Sequence, residues 1–177
     1  MDLTGDPIDF SANINPLGFP PWLRKEINRN IETLTHYPDP EQKELRTKAA
    51  EYFNINHNNI IFGNGASEFI SILPNILQID NIIIPAPSYS EYENSYTKII
   101  PSYLIMDAKT NFTLNFNELS KIINTTPGRK LIYIGQPNNP TGKSVPNEMI
   151  IDLAERHKNS FFCIDESLQI LFKVIKL

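Results

Sequence analysis

The chain is short of several things. Cys163 is the single cysteine among 177 residues, which excludes an internal disulfide and any cysteine-cluster metal site. Long apolar runs are missing: stretches such as Ile82-Ile83-Ile84 fall far below the roughly 20 residues that span a bilayer. Positive charge is not in excess. Lys and Arg number 16 against 20 Asp and Glu, for a net charge of −4, so the charge balance calls for neither nucleic acid nor an anionic membrane as partner. The segment Met1-Asp2-Leu3-Thr4-Gly5-Asp6 has no basic stretch leading into an apolar one, so a secretory leader is not expected and the cytoplasm is the expected compartment. Internal repeats and low-complexity tracts are absent. What remains, 41% hydrophobic and 20% charged residues, is a globular composition long enough for a core of useful size.

The first part of the chain is irregular. Residues 1–21 are punctuated by Pro, Gly and Asn and read as an extended arm, and residues 21–34 have helical spacing. His36-Tyr37-Pro38-Asp39-Pro40 is a turn, because two prolines forbid continuing a helix or a ladder. Residues 41–53 form a helix with Leu45, Ala49 and Tyr52 on one face. An alternation follows. Strands are predicted at residues 59–62, 81–84, 102–106, 130–134 and 161–164, and helices at 67–77, 88–97, 115–124 and 147–157. Short apolar runs alternating with helices specify βαβ units and a mostly parallel sheet covered on both faces.

Four segments carry chemistry. Gly63-Asn64-Gly65-Ala66-Ser67-Glu68 lies between a strand and a helix. Its glycines permit a tight turn, and free N–H groups at a helix start bind phosphate. Ser67 serves equally as a helix cap, so a plain turn with a capped helix stays open. Pro85-Ala86-Pro87-Ser88-Tyr89 follows the next strand. In open α/β sheets ligands sit off the carboxyl ends of strands, which places Tyr89 to stack on a flat aromatic ligand. Packing on a helix start is the plainer alternative. Pro137-Asn138-Asn139-Pro140-Thr141-Gly142 is a rigid loop that can aim the Asn139 amide at a phenolate oxygen, or simply turn the chain. Phe161-Phe162-Cys163-Ile164-Asp165 is an apolar strand ending in a carboxylate, which is costly unless Asp165 is paired. A protonated pyridine nitrogen would supply that partner, and a helix cap or surface ion pair is the alternative. The order of these motifs and the 26 residues from Asn139 to Asp165 favour one shared site over four coincidences.

Taken together these motifs resemble the fold-type I, class I/II aminotransferases that depend on pyridoxal 5'-phosphate (PLP). Within them the chain is similar to the group holding histidinol-phosphate aminotransferase and L-threonine-O-3-phosphate decarboxylase, an enzyme of cobalamin biosynthesis. The arm Ile8-Asp9-Phe10-Ser11-Ala12-Asn13-Ile14-Asn15-Pro16-Leu17-Gly18, and Tyr37-Pro38-Asp39-Pro40 followed by Leu45-Arg46, carry that likeness. The resemblance implies a three-layer αβα PLP-transferase large domain with about five strands present. It divides the chain into an arm and helix over residues 1–40 and a partial PLP-binding domain over 41–177. Ala66 and Ser67 would bind the cofactor phosphate with Glu68 close by. Tyr89 would stack on the ring, Asn139 would bond its hydroxyl and Asp165 its nitrogen. Tyr37 would reach the neighbour's cofactor across a homodimer, and Asn15 would lie near a small phosphorylated amino-acid substrate. No metal, nucleic acid or membrane is implied.

The resemblance also has departures. The position three residues after Asp165 is aromatic in many relatives and is Leu168 here. Lys173 and Lys176 follow Asp165 by 8 and 11 residues, whereas the family's cofactor lysine comes after a further helix and strand. Neither matches its motif, so no catalytic residue is assigned. The resemblance thus predicts a C-terminally truncated family member without the small domain, inactive alone or completed by a second polypeptide. A non-catalytic PLP- or phosphate-binding protein is the other reading. It further predicts that the phosphate-binding helix is detached from the sheet carrying Asn139 and Asp165, because the strand at 59–62 would lack its partner.

Overall fold

The computed structural model of the chain describes residues 12–15 and 17–168. Contacts gather it into two units, Met1–Phe62 and Gly63–Leu177, and each has its own organisation. No helix among the described residues is long and apolar enough to cross a membrane.

The first unit is helical. α1 (Pro21–Asn30) opens on a proline, whose missing N–H is no loss in a first turn, and runs into a 3-10 turn at Ile31–Thr35. Before α2 (Lys43–Phe53), the Asp39 carboxylate accepts the N–H groups of Glu41 and Lys43 at 3.0 Å each. Those bonds hold its carboxyl below the usual range. The Arg46 guanidinium clamps the His57 carbonyl at 3.1 and 2.8 Å. The helix forms as the spacing predicts, but its apolar stripe is not covered: Leu45 and Tyr52 stay exposed. The strand expected at residues 59–62 does not form either. His57–Asn59 is a 3-10 turn, Ile60 is extended, and residues 60–62 have no ladder. Extended backbone becomes a strand only where its N–H and C=O groups find a neighbour.

The second unit is the αβα sandwich. It comprises α3 (Ala66–Ile76), β1 (Asn81–Ala86), α4 (Ser90–Asn94), β2 (Ser102–Ile105), α5 (Phe116–Thr125), β3 (Lys130–Gly135), α6 (Asn147–Arg156) and β4 (Ser160–Asp165). The four strands pair in parallel in the order β2-β1-β3-β4. Four of the five expected strands are therefore present among the described residues. Because side chains alternate along a strand, the sheet feeds two cores. Ile83, Ile132 and Ile134 pack with Leu119 and Ile123 of α5 and Ile150 and Leu153 of α6. Ile82, Ile84, Leu131 and Tyr133 pack with Ile70 of α3 and Tyr92 of α4. Asn115 caps α5 by accepting the N–H groups of Asn117 and Glu118, both at 3.1 Å. Away from the strands' carboxyl ends, His157 is buried with its Nε2 2.7 Å from the Ser120 hydroxyl. Burial, and then the Arg156 and Lys130 charges, lower its pKa.

The predicted detachment of the phosphate-binding helix does not occur. α3 lies on the sheet through Ile70, Leu73 and Leu77, and the buried Tyr133 hydroxyl of β3 donates to the Ile70 carbonyl at 2.8 Å. The helix's own apolar face holds it, so a neighbouring strand is not needed. Truncating Ile70→Ala should then cost about 2–5 kcal/mol, the range for an aliphatic core side chain, measured by urea unfolding.

Candidate functional site

The carboxyl ends of parallel strands share one edge, which is where open α/β sheets bind ligands. Gly135 and Asp165 are register partners there. A cleft of about 300 Å³ opens at this edge, lined by Ala66, Ser67, Tyr89, Asn139, Asp165, Ser167 and Leu168. Five of the residues singled out from the sequence thus meet in one place, from four separate segments.

One end of the cleft is the start of α3. Gly65 precedes it at φ +85°, ψ 170°, a region reserved almost entirely for glycine. It offers no side-chain cap, so the first N–H groups of the helix have no intrahelical partner. Ser67 lies inside the helix and is not its cap, which corrects that alternative and leaves its hydroxyl for a ligand. Glu68 turns away from the cleft. Its carboxylate accepts the Asn64 N–H at 2.5 Å and so shapes the glycine loop.

The loop after β3 separates two neighbouring amides. Asn138 is buried and fully engaged: its Nδ2 donates to the Pro87 carbonyl (3.1 Å) and the Thr141 hydroxyl (2.8 Å), and its Oδ1 accepts from Ser88 (3.2 Å). A Cβ on Gly135 would come within 3.0 Å of the Asn138 Cα, so a larger residue there would have to push the loop by a few tenths of an ångström. Gln136 exchanges amide bonds with the Val145 backbone, and its own N–H donates to the Asp165 carbonyl at 2.8 Å. Asn139 is what this scaffold leaves facing the cleft.

Asp165 is paired, as an apolar strand end requires. The Tyr92 hydroxyl donates to its Oδ2 at 2.8 Å, and the Ser167 N–H (3.0 Å) and hydroxyl donate to its Oδ1. Tyr92 is 2% exposed. Burial first, then the Asp165 charge, pushes its phenol far above the usual range, so it is a permanent donor. Its ring stacks on Tyr133 with centroids 4.9 Å apart and meets Tyr89 edge-on at 5.7 Å. Cys163, two residues before Asp165, has its thiol pushed up to about 11 by burial and by the carboxylate. Leu168 forms an apolar wall and brings no donor.

Tyr37 and Asn15 belong to the first unit. Tyr37 is wholly exposed, and the Asn15 side chain accepts the Leu17 N–H at 3.0 Å. Lys173 and Lys176 lie outside the described residues. Sequence reasoning missed Gln136, Asn138, Ser167 and Tyr92. Only Tyr92 left a signal: it follows Tyr89 at helical spacing, which sets it on the inner side of α4.

Residues 5–172 match the aminotransferase class I and II family. The chain belongs to that family. Its members are PLP-dependent aminotransferases and decarboxylases. An adenosylcobalamin biosynthesis bifunctional protein CobDQ from Leptospira interrogans is 40% identical over 90% of this chain and 19% of its own length. A threonine-phosphate decarboxylase, named as putative, from Caldanaerobacter subterraneus is 38% identical over 78% of this chain and 37% of its own. Among solved structures, the histidinol-phosphate aminotransferase from Clostridium acetobutylicum superposes with a TM-score of 0.76 at 31% identity, covering 88% of this chain and 46% of that one. The chain thus spans less than half the length of each.

Two outcomes test this geometry. Gly65→Ala meets no atom within 4 Å, so its cost should be backbone strain alone, about 1–3 kcal/mol in the melting free energy. Cys163 should react with a thiol reagent at pH 8 far more slowly than the unfolded chain does. Its rate should climb as the pH approaches 11, because a raised pKa keeps the inert protonated form until then.

Proposed function

We propose that the cleft binds PLP and serves a decarboxylase acting on a small phosphorylated amino acid, most like threonine-phosphate decarboxylase of cobalamin biosynthesis. The observation that carries the cofactor reading is the convergence of Ala66, Ser67, Tyr89, Asn139 and Asp165 on one cleft. Its ends suit the two ends of that molecule: uncapped helix N–H groups for a dianionic phosphate, and a carboxylate for a pyridinium N–H. The 38% identical relative named as a threonine-phosphate decarboxylase supports the substrate class, and the 40% identical one named for adenosylcobalamin biosynthesis supports the pathway. A histidinol-phosphate aminotransferase activity is the second reading, supported by the 31% identical solved structure.

The residues divide the work. Ala66 and Ser67 bind the phosphate through backbone N–H groups and the Ser67 hydroxyl. Tyr89 covers one face of the ring. Asn139 donates to the ring hydroxyl oxygen, and Asp165 accepts from the ring nitrogen and keeps its proton in place. When bound, the protonated cofactor acts as an electron sink for a carbanion at the substrate α-carbon. Tyr37 would reach a partner's cofactor in a homodimer, Asn15 would approach the substrate, and Glu68 supports the phosphate loop from behind. Residues 1–40 form the arm and 41–177 the cofactor-binding part, in a cytoplasmic protein. No lysine of the described residues lines the cleft, so those residues hold the cofactor without a covalent bond.

Titrating the full chain with PLP by absorbance tests this. Ser67→Ala and Asp165→Asn should each weaken binding by about tenfold or more, the loss expected for a hydrogen bond to a charged group. Inorganic phosphate should compete. Affinity unchanged in both variants would overturn the proposal.

A further inference from the structure

The two ends of the cleft are carried by different elements, α3 and β4, and the route between them is short. The Tyr133 hydroxyl on β3 donates to the Ile70 carbonyl of α3 at 2.8 Å. The Tyr133 ring lies flat on the Tyr92 ring, at an interplanar angle of 3°. The Tyr92 hydroxyl donates to Asp165 Oδ2 at 2.8 Å. Ser95 braces the Tyr92 side of the pair: its hydroxyl donates to the Tyr92 carbonyl at 2.9 Å. Both rings are buried, Tyr133 wholly so.

Apolar packing alone would bury this volume with phenylalanine at either position. Two phenols, one bonded to the Ile70 carbonyl a turn inside α3, which Pro74 leaves without its helical donor, and one to Asp165 at the cleft, do something packing does not. A hydroxyl bond is directional, and a close-packed stack transmits displacement without slack. The geometry points to the Tyr92–Tyr133 stack as a spacer that fixes the separation between the phosphate-binding start of α3 and the Asp165 carboxylate. Tyr92 and Tyr133 are then positioning residues: they set the fit of a rigid ligand engaging both ends at once, without touching it. This rests on the cofactor reading above, since PLP is the ligand that spans the two ends.

The test compares a spanning ligand with a one-ended one. In the full chain, Tyr133→Phe and Tyr92→Phe keep both rings and remove one hydroxyl each. Each should weaken PLP about fivefold to tenfold, on the order of one lost hydrogen bond, while the affinity for inorganic phosphate stays within about twofold, since the α3 N–H donors are unaltered. The double variant should lose little more than the worse single one, because either deletion breaks the same link. Equal losses for both ligands would mark the tyrosines as ordinary core residues and overturn the spacer. So would unchanged PLP affinity in both tyrosine variants while Asp165→Asn still weakens it; the cofactor reading would then survive alone. No effect of Asp165→Asn or Ser67→Ala, or no PLP binding by the unaltered chain, would remove the cofactor reading and the spacer with it. If Tyr133→Phe does not fold, hydrogen exchange on the unaltered chain decides. PLP should protect the first turn of α3 and residues 165–167 together, and protection of one segment only would overturn the spacer.

Discussion

Burial of one face of α3 against β1 and β3 places the anionic end of the cleft, because a helix start binds an anion only where the rest of the helix holds it. Ile70, Leu73 and Leu77 supply the apolar contact, and the Tyr133 hydroxyl adds a directional bond to the Ile70 carbonyl. Full burial of an aliphatic side chain such as Ile70 contributes about 1.5–3 kcal/mol, and the half-buried Leu73 and Leu77 add less. That is enough to dock a helix of eleven residues which, alone in water, would be marginal. Ser67 reaches the same cleft as Asp165 because of this face, and no ladder to an additional strand is required.

The opposite end is built from backbone accounting. Gln136 ties the loop after β3 to the Asp165 carbonyl and to Val145. Asn138 spends its whole amide on Pro87, Thr141 and Ser88. These residues do not line the cleft, yet they decide where Asn139 points. Two adjacent asparagines therefore have opposite jobs, and the difference is burial. An amide that satisfies every donor internally rigidifies its loop, and the half-buried one beside it is available to a ligand.

The βαβ alternation was legible in the sequence because each strand is a short apolar run bounded by turn residues. The helix starts at Ser67, Asn115 and Asn147 were placed within one residue for the same reason. The strand at residues 59–62 was misjudged because periodicity reports what a segment could bury, not whether a partner stands beside it. Detachment of α3 fails on a related point: the helix is held by its own apolar face, visible as Ile70, Leu73 and Leu77, and not by strand adjacency. Of the cleft, the residues that end strands or open helices were readable, since their position follows from the alternation. Gln136, Asn138 and Tyr92 were not, because each acts through a contact distant in sequence, 73 residues in the case of Tyr92 and Asp165.

The cleft residues also explain why family is easier to assign than reaction. In the proposed reading Ala66, Ser67, Tyr89, Asn139 and Asp165 would all address the phosphate, the ring or its substituents. None is assigned to the atom of substrate where bonds change. A carboxylate at the ring nitrogen favours any reaction that leaves a carbanion, whether carbon dioxide or a proton departs. What distinguishes the two is which substrate bond is held perpendicular to the ring, and that is set by groups gripping the substrate's own carboxylate and phosphate. On the proposed reading this cleft would accordingly be a cofactor-handling device shared across chemistries. The proposed decarboxylase reading draws its weight from overall likeness to a 38% identical relative of that name, while the proposed cofactor reading rests on geometry within the chain itself.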